Sequence, residues 1–322
     1  MTVLEAIQKS ADFLGKKGVE SARLNAELLL AHQLGLPRMK LYLNFERALT
    51  TVETDGLREL VKRRAAREPL QHITGSTSFC GCEMAVSRAA LVPRPETELL
   101  AELGWQFLAE RRPPARRVDE PPEHAGSETG APTALDFGTG TGCIAIALAV
   151  KCPAARITAL DISPEALALA KQNAEQNKVA ERIEFLQGDG FAALGLRRHV
   201  GALESGDMSP HSKFDLLISN PPYIAAAEIE TLSPEVRDFD PRLALDGGTD
   251  GLDFYRRLAK EAGPFLKPDG KIMVEFGDGQ AEAIRAIFEA ENWIVESVKE
   301  DYSQRARILI AKSSSSSSSS SK

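Results

Sequence analysis

The most specific chemistry in the chain lies in Asn220, Pro221, Pro222 and Tyr223, which follow the apolar run Phe214–Ser219. A Pro-Pro step cannot continue a central strand, because two successive residues lack the N–H that the ladder needs. A turn after a strand accounts for the prolines but not for Asn and Tyr on either side of them. Together the four residues offer two neutral acceptors, the Asn220 side-chain oxygen and a Pro221 carbonyl that the rigid turn leaves free. Tyr223 adds an aromatic face. Two acceptors and a flat surface suit a planar –NH2 group, which donates two hydrogens and has a π system to stack.

A second constellation is Asp136-Phe-Gly-Thr-Gly-Thr-Gly142, at the end of the short run from Thr133. Glycines let the chain turn sharply and bring its backbone close to a ligand. A dinucleotide fingerprint would place its third glycine at position 143, which is Cys143; here the glycines are Gly138, Gly140 and Gly142, with Thr139 and Thr141 between them. Nineteen residues after Gly142, the next apolar run ends in Asp161, placed to accept hydrogen bonds from two ribose hydroxyls. A tight strand–helix turn explains the glycines alone, whereas loop and carboxylate at this spacing point to an adenosine cofactor. Ser163-Pro164 fits an N-cap and first helical position and needs no other role. Farther on stands Gly188-Asp189-Gly190-Phe191, where Asp189 is either a turn residue or a neighbour of the adenine.

These residues sit at the ends of regular elements. Apolar runs at Thr133–Phe137, Arg156–Asp161, Ile183–Gln187 and Phe214–Ser219 alternate with helical patterns at Cys143–Lys151 and Pro164–Asn177. Lys271–Phe276, Trp293–Val298 and Arg307–Ala311 follow, the last two close enough to pair antiparallel. Such alternation predicts an α/β fold with a mainly parallel, doubly wound sheet, whose ligands bind beyond the carboxyl ends of the strands. Residues 1–70 read as helical, from Leu24, Leu28, Leu29, Ala31 and Leu34 and again from Leu57, Leu60 and Val61. Residues 71–92 are β-rich around glycines and predict a hairpin linker, and a rigid Pro93–Glu98 leads into a helix over Glu96–Ala109. The division expected is 1–70, 71–92 and 93–312. Residues 112–132, rich in Pro, Gly and charge, are expected to be a disordered insertion, 197–213 a second excursion, and 313–322 a disordered serine tail.

Composition narrows the partners. The 322 residues, 43% hydrophobic and 26% charged, suit a globular chain of about two domains. With 39 Lys+Arg against 46 Asp+Glu the net charge is −7, which disfavours gripping a nucleic-acid backbone with the whole surface. Residues 1–70 carry 12 basic and 9 acidic side chains, a local +3. Lys62-Arg63-Arg64 with Arg67 there reads as a solvated helix face, with a partner-binding patch as the alternative. Cys80, Cys82, Cys143 and Cys152 form no Cys-x-x-Cys pair, so reduced thiols and no metal site are expected. No signal peptide or membrane span is evident, and a cytoplasmic protein with no membrane partner follows.

Asp136–Gly142, Asp161 and Asn220–Tyr223 together resemble the class I, S-adenosylmethionine-dependent amino-group methyltransferases. Pro93–Glu98, Asp240–Tyr255, Gly270–Gly277 and Arg23–Leu30 are similar to segments of the PrmC (HemK) family, the peptide chain release factor N5-glutamine methyltransferases. The similarity runs from about residue 5 to 312. It implies a helical substrate-recognition domain, a β-hairpin linker and a Rossmann-like methyltransferase domain. It further implies that S-adenosyl-L-methionine is used and S-adenosyl-L-homocysteine released. Asp136, Gly138, Thr139, Gly140, Thr141 and Gly142 would serve the methionine end of the cofactor, Asp161 the ribose, and Asp189, Gly190 and Phe191 the adenine region, with Asn220 bordering the cofactor. Asn220, Pro221, Pro222 and Tyr223 would hold the glutamine, with Asn220, Pro221 and Tyr223 catalytic. Members often carry an aromatic residue where Gly190 stands, so any contact there falls to backbone or Phe191. Members also more often have Glu at position 240 and lack the 112–132 insertion.

The partner implied is the Gly-Gly-Gln loop of a release factor, with no direct nucleic-acid partner. Adenine presents the same planar –NH2, so an N6-adenine methyltransferase is the nearest rival; the acidic net charge and the absence of a basic recognition domain weigh against it. A ribosomal-protein glutamine methyltransferase is disfavoured by Arg94–Glu98. A non-catalytic scaffold would have no use for Asn220–Tyr223.

Overall fold

A computed structural model describes residues 1–111, 130–195, 213–301 and 303–314. Most of the 112–132 and 197–213 stretches, and the tail beyond 314, lie outside the described residues. The chain forms two compact units: Met1–Thr77 with Val86–Arg88 and Glu230–Asp240, and Ser78–Ala85 with Ala89–Ile229 and Pro241–Lys322. Residues 230–240 thus belong with the amino-terminal helices, which a linear cut at 70 and 92 does not anticipate.

The first unit is built on α1 (Val3–Lys16), α2 (Ala22–Leu34) and α3 (Thr51–Ala65). Thr2 and Thr50 open α1 and α3 alike: each hydroxyl accepts the N–H three residues on, while Glu5 or Glu53 accepts the cap's own N–H. This reciprocal arrangement satisfies two orphan donors at once. Val3, Ile7, Leu14, Leu29, Leu30, Leu57 and Val61 form the core. Leu24, one of the residues whose spacing marks the helix, is 39% exposed, because the inward face of α2 runs through Ala26, Leu29 and Leu30.

The basic run is only half a solvated face. Lys62 and Arg63 pair at the surface with Glu59 and Glu68, each at 2.7 Å. Arg64 is buried, with Nε donating to Asn25 Oδ1 at 2.8 Å and a terminal nitrogen to Glu235 Oε1 at 2.9 Å. Arg67 grips both Glu235 oxygens at 2.6 Å. It does so from a left-handed φ of 69°, a conformation that costs a non-glycine residue about 1–2 kcal/mol and that the two-point ion pair offsets. Burial pushes the Glu235 carboxyl up, but hydrogen bonds from Arg67 and Arg64 outweigh it and hold the group below the usual carboxylate range. The stabilisation from Glu235 is therefore present above that range and is lost as acid protonates the carboxylate. Glu235→Gln leaves a buried guanidinium without its counter-charge and is expected to cost about 3 kcal/mol. Urea unfolding at neutral pH checks this; an unchanged midpoint would show that the clamp contributes nothing.

Next along the chain, β1 (Ser76–Phe79) and β2 (Cys82–Ala85) pair as a hairpin. The hairpin is shorter than 71–92, because Leu70–Thr74 form a helical turn closed by Gly75. The second unit is a seven-stranded sheet. Its strands are β3 (Thr133–Phe137), β4 (Arg156–Asp161), β5 (Ile183–Gln187), β6 (Phe214–Ser219), β7 (Leu266–Glu275), β8 (Trp293–Glu300) and β9 (Ala306–Ser313). They lie in the order β5-β4-β3-β6-β7-β9-β8, parallel through β7, with β9 antiparallel to both neighbours. The direction of growth reverses between β3 and β6, the switch point at which such sheets bind ligands.

Among the described residues, five longer helices cover the sheet: α4 (Thr97–Glu110), α5 (Cys143–Lys151), α6 (Pro164–Gln176), α7 (Asp253–Glu261) and α8 (Ala281–Ala290). Alternation along the strands sorts side chains onto two faces. Leu135, Phe137, Leu217, Ile272 and Val274 pack with Tyr255, Leu258, Ile284 and Phe288 of α7 and α8. Ala134, Leu216, Ile218 and Met273 pack with α4 and α5. The same period places Asp136, Asn220 and Glu275 on the α4/α5 face. Since Ile218 pairs with Met273 and Ser219 with Val274, Asn220 and Glu275 emerge side by side. A methyl on Gly104 of α4 would lie 2.9 Å from Ile218, so glycine lets this helix settle close over β6.

Candidate active site

A cavity of about 400 Å³ opens at the carboxyl ends of β3, β4 and β6. Its wall includes Gly138, Thr139, Gly140 and Thr141, then Leu160, Asp161 and Ile162, then Gly188, Asp189 and Gly190, and finally Asn220 and Pro222. The glycine loop is fastened to β4: Gly138 and Thr139 donate their N–H groups to the Leu160 carbonyl at 2.8 and 2.9 Å. Asp161 completes the attachment, one oxygen accepting Gly140 N–H at 2.8 Å and the other Ser163 N–H at 2.9 Å. A carboxylate has about four acceptor positions, so Asp161 holds the loop and still has lone pairs for a ligand.

Three residues expected at the cofactor are not part of this wall. Asp136 is fully buried, and its Oδ2 accepts from Thr139 Oγ1 at 2.6 Å and Ala145 N–H at 3.1 Å. It ties the loop to the start of α5 from behind. Gly142 has φ of 79°, and a Cβ there would meet Ala170 Cβ at 3.0 Å; the turn and the packing of α6 require this glycine. The Phe191 ring is buried between Phe137 and Phe265, with ring centroids 5.1 and 5.0 Å away, so it belongs to the core and not to an adenine surface. Asp189 and Gly190 do border the cavity, where Arg257 ion-pairs with Asp189 and lies across the space a Gly190 side chain would fill.

At the other end, Ser219 Oγ donates to the Phe137 carbonyl at 2.6 Å, joining the tips of β6 and β3. The next residue, Asn220, donates from Nδ2 to Thr97 Oγ1 at 3.0 Å. The Glu275 carboxyl, 3% exposed, faces the Thr97 and Asn220 side chains, and its Oε2 has no partner among the described residues. Burial pushes Glu275 up to about 7, although both of those neighbours lower its proton affinity. Pro221 is buried, while the Tyr223 ring lies against Gly277 outside the cavity wall. Gln280 fixes this turn, donating to the Tyr223 carbonyl and accepting Gly277 N–H, both at 2.9 Å. Among the described residues no group of three or more His, Cys, Asp or Glu could hold a metal ion, and no helix is long and apolar enough to cross a membrane.

Comparison with known proteins agrees with this architecture. A PrmC N-terminal domain model matches residues 5–75 and a methyltransferase domain model matches residues 129–313. A release factor glutamine methyltransferase of Geobacter sulfurreducens is 42% identical over 89% of this chain and 88% of its own. Proteins of the same description from Chlorobaculum tepidum and Cereibacter sphaeroides are 38% and 37% identical, over 95% and 97% of this chain and 95% and 99% of theirs. The chain belongs to the release factor glutamine methyltransferase family. Its methyltransferase domain has the Rossmann-like α/β fold that the strand–helix alternation predicts.

Within this family member, the residues that brace the site were not evident from spacing. Thr97, Arg257 and the Glu275–Gln280 stretch come from separate parts of the chain that the sheet brings to one end. Thr97 and Glu275 do lie inside Pro93–Glu98 and Gly270–Gly277, where the resemblance marked the segments but assigned them no role.

Burial also pushes Asp136 up to about 7, against the hydrogen bonds from Thr139 and the Ala145 N–H. A carboxyl raised in the folded state binds its proton more tightly than in the unfolded chain. Its effect is therefore to make the fold less stable as pH rises from the ordinary carboxylate range through about 7, and not the reverse. Asp136→Asn, which cannot ionise, is expected to flatten that decline. Urea midpoints of both proteins between acidic and neutral pH test this, and parallel curves would contradict it.

Proposed function

We propose that this chain transfers a methyl group from S-adenosyl-L-methionine to the side-chain amide nitrogen of the glutamine in the Gly-Gly-Gln motif of a peptide chain release factor. S-adenosyl-L-homocysteine is the other product, and no metal takes part. The single observation that carries the reading is the orientation of Asn220: its NH2 is committed to Thr97, so its oxygen is the group left for a ligand. The names of the relatives supply the release factor as partner. The helical unit is the proposed seat of its recognition, and the cytoplasm the place.

The residues present fit the cofactor. A cavity of about 400 Å³ is within the range for such ligands. Asp161 retains acceptor capacity for ribose hydroxyls, and a side chain at Gly138 would meet nothing within 4 Å, leaving backbone open to approach. Leu160, Ile162 and Phe137 give the wall apolar surface. When bound, S-adenosylmethionine supplies an electrophilic sulfonium methyl.

An amide nitrogen is a weak nucleophile because its lone pair is delocalised into the carbonyl. The Asn220 oxygen and the Pro221 carbonyl would accept the two amide hydrogens. They thereby fix the nitrogen's direction and stabilise the positive charge that grows on it as the nitrogen–carbon bond forms. Tyr223 would offer its ring to the amide plane. A proton leaves the nitrogen afterwards, so no residue need ionise the amide beforehand.

Mass spectrometry of release factor incubated with the protein and cofactor is expected to show one added methyl on that glutamine. Methylated duplex DNA with unmodified release factor would favour the adenine enzyme. Asn220→Ala is expected to bind cofactor almost as before and to turn over about 100-fold or more slowly, the scale for losing one preorganised transition-state partner; wild-type turnover would rule the mechanism out. Asp161→Ala is expected to weaken cofactor binding about ten- to a hundredfold, because a hydrogen bond to a charged group is worth about 1.5–3 kcal/mol. Unchanged affinity in calorimetry would remove Asp161 from the site.

A further inference from the structure

We propose that Glu275 is a positioning residue: its buried carboxylate, acting with Thr97, locks the Asn220 side chain so that the amide oxygen faces the substrate. The inference rests on the reading above, in which that oxygen accepts from the substrate amide, and it adds the group that decides which end of Asn220 is presented.

A primary amide is nearly symmetric in shape, and rotating it by half a turn exchanges its oxygen for its NH2. With the NH2 outward, Asn220 would set donors against the donors of the substrate. Thr97 alone does not prevent this, because a hydroxyl both donates and accepts. The third group settles the direction. The Glu275 carboxyl faces both Thr97 and Asn220, which lower its proton affinity, and an ionised carboxylate can only accept. The hydroxyl hydrogen of Thr97 is thus given to Glu275, its lone pair is left to accept Asn220 Nδ2 at 3.0 Å, and the Asn220 oxygen has no donor on the inner side. Once Glu275 is protonated it can donate, the order of donors along the chain is no longer fixed, and the flipped amide becomes compatible with the same three positions.

The placement is specific. Asn220 and Glu275 emerge from adjacent parallel strands in register, and Thr97 stands in the first turn of the helix above them. Glu275 is too deep to meet a ligand itself, at 3% exposure. The charged and titratable groups around it are Glu96 before α4, which raises its proton affinity, Arg307 of β9, which lowers it, and the Tyr223 and Tyr255 phenols. Arg307 is itself engaged by Asp301 at 3.1 Å. Burial prevails, and Glu275 titrates at about 7, so the lock engages as pH rises through neutrality.

The test is single-turnover methylation of release factor across pH for the wild type, Glu275→Gln, Thr97→Val and Thr97→Ser, with cofactor affinity and thermal midpoint measured on each. The wild-type rate is expected to fall as pH drops through about 7. Glu275→Gln, nearly the same shape but never ionised, is expected to be about ten- to a hundredfold slower at alkaline pH, the scale for a misplaced reacting group. It should lose the acid limb and keep its cofactor affinity. Thr97→Val should slow similarly and Thr97→Ser should recover the rate. A Glu275→Gln enzyme with wild-type rate and acid limb would overturn the inference, as would a Thr97→Val enzyme at wild-type rate should the glutamine variant not fold. Failure of the wild type itself to methylate release factor would instead overturn the reading on which the inference rests.

Discussion

The hydrogen bond from Asn220 to Thr97 is the contact on which the site depends. An amide at the end of a strand, facing water, would sample both of its orientations at little cost. Here the donor end is turned toward the buried Thr97 hydroxyl, and the carboxylate of Glu275 beside it is the proposed reason that one orientation dominates. The rest of the domain serves to bring these atoms together. The β6–β7 register sets Asn220 beside Glu275, Gly104 lets α4 lie low over β6, and Ser219 ties the tip of β6 to that of β3.

The glycine-loop end of the cavity is organised on the same principle, with carboxylates ordering backbone. Asp161 and Asp136 grip the glycine loop from its two sides, through Gly140 and Thr139. One of them borders the cavity and the other is sealed in the core. The fully buried carboxyl is the one whose proton affinity rises to about 7, as desolvation demands. A loop held in this way loses little further freedom when a ligand arrives, which lowers the entropic cost of binding.

The sheet was legible in the sequence because β3, β4 and β6 are apolar runs bounded by turn residues, and a strand buried on both faces has no other signature. Asp161 and Asn220 were legible because each ends such a run. What escaped notice was set by distance along the chain. Glu235 lies far from Arg64 and Arg67 in sequence, and a basic run in α3 carries no mark of the carboxylate that will neutralise half of it. Gly142 and Phe191 stand in the right motifs for the wrong reason, since a motif fixes position along the chain while helix packing and the aromatic core decide which way a residue faces. Thr97 and Glu275 illustrate the same limit, as neither type is unusual at a helix start or a strand end.

The central claim is that the site reads a primary amide through two neutral acceptors. Nitrogen-15 NMR of a Gly-Gly-Gln peptide, labelled at the side-chain amide and bound together with S-adenosylhomocysteine, tests it directly. Both amide protons are expected to shift downfield on binding to the wild type, and in the Asn220→Ala protein one of them should return toward its free position. Bound peptide whose two amide protons keep their free shifts would contradict the account.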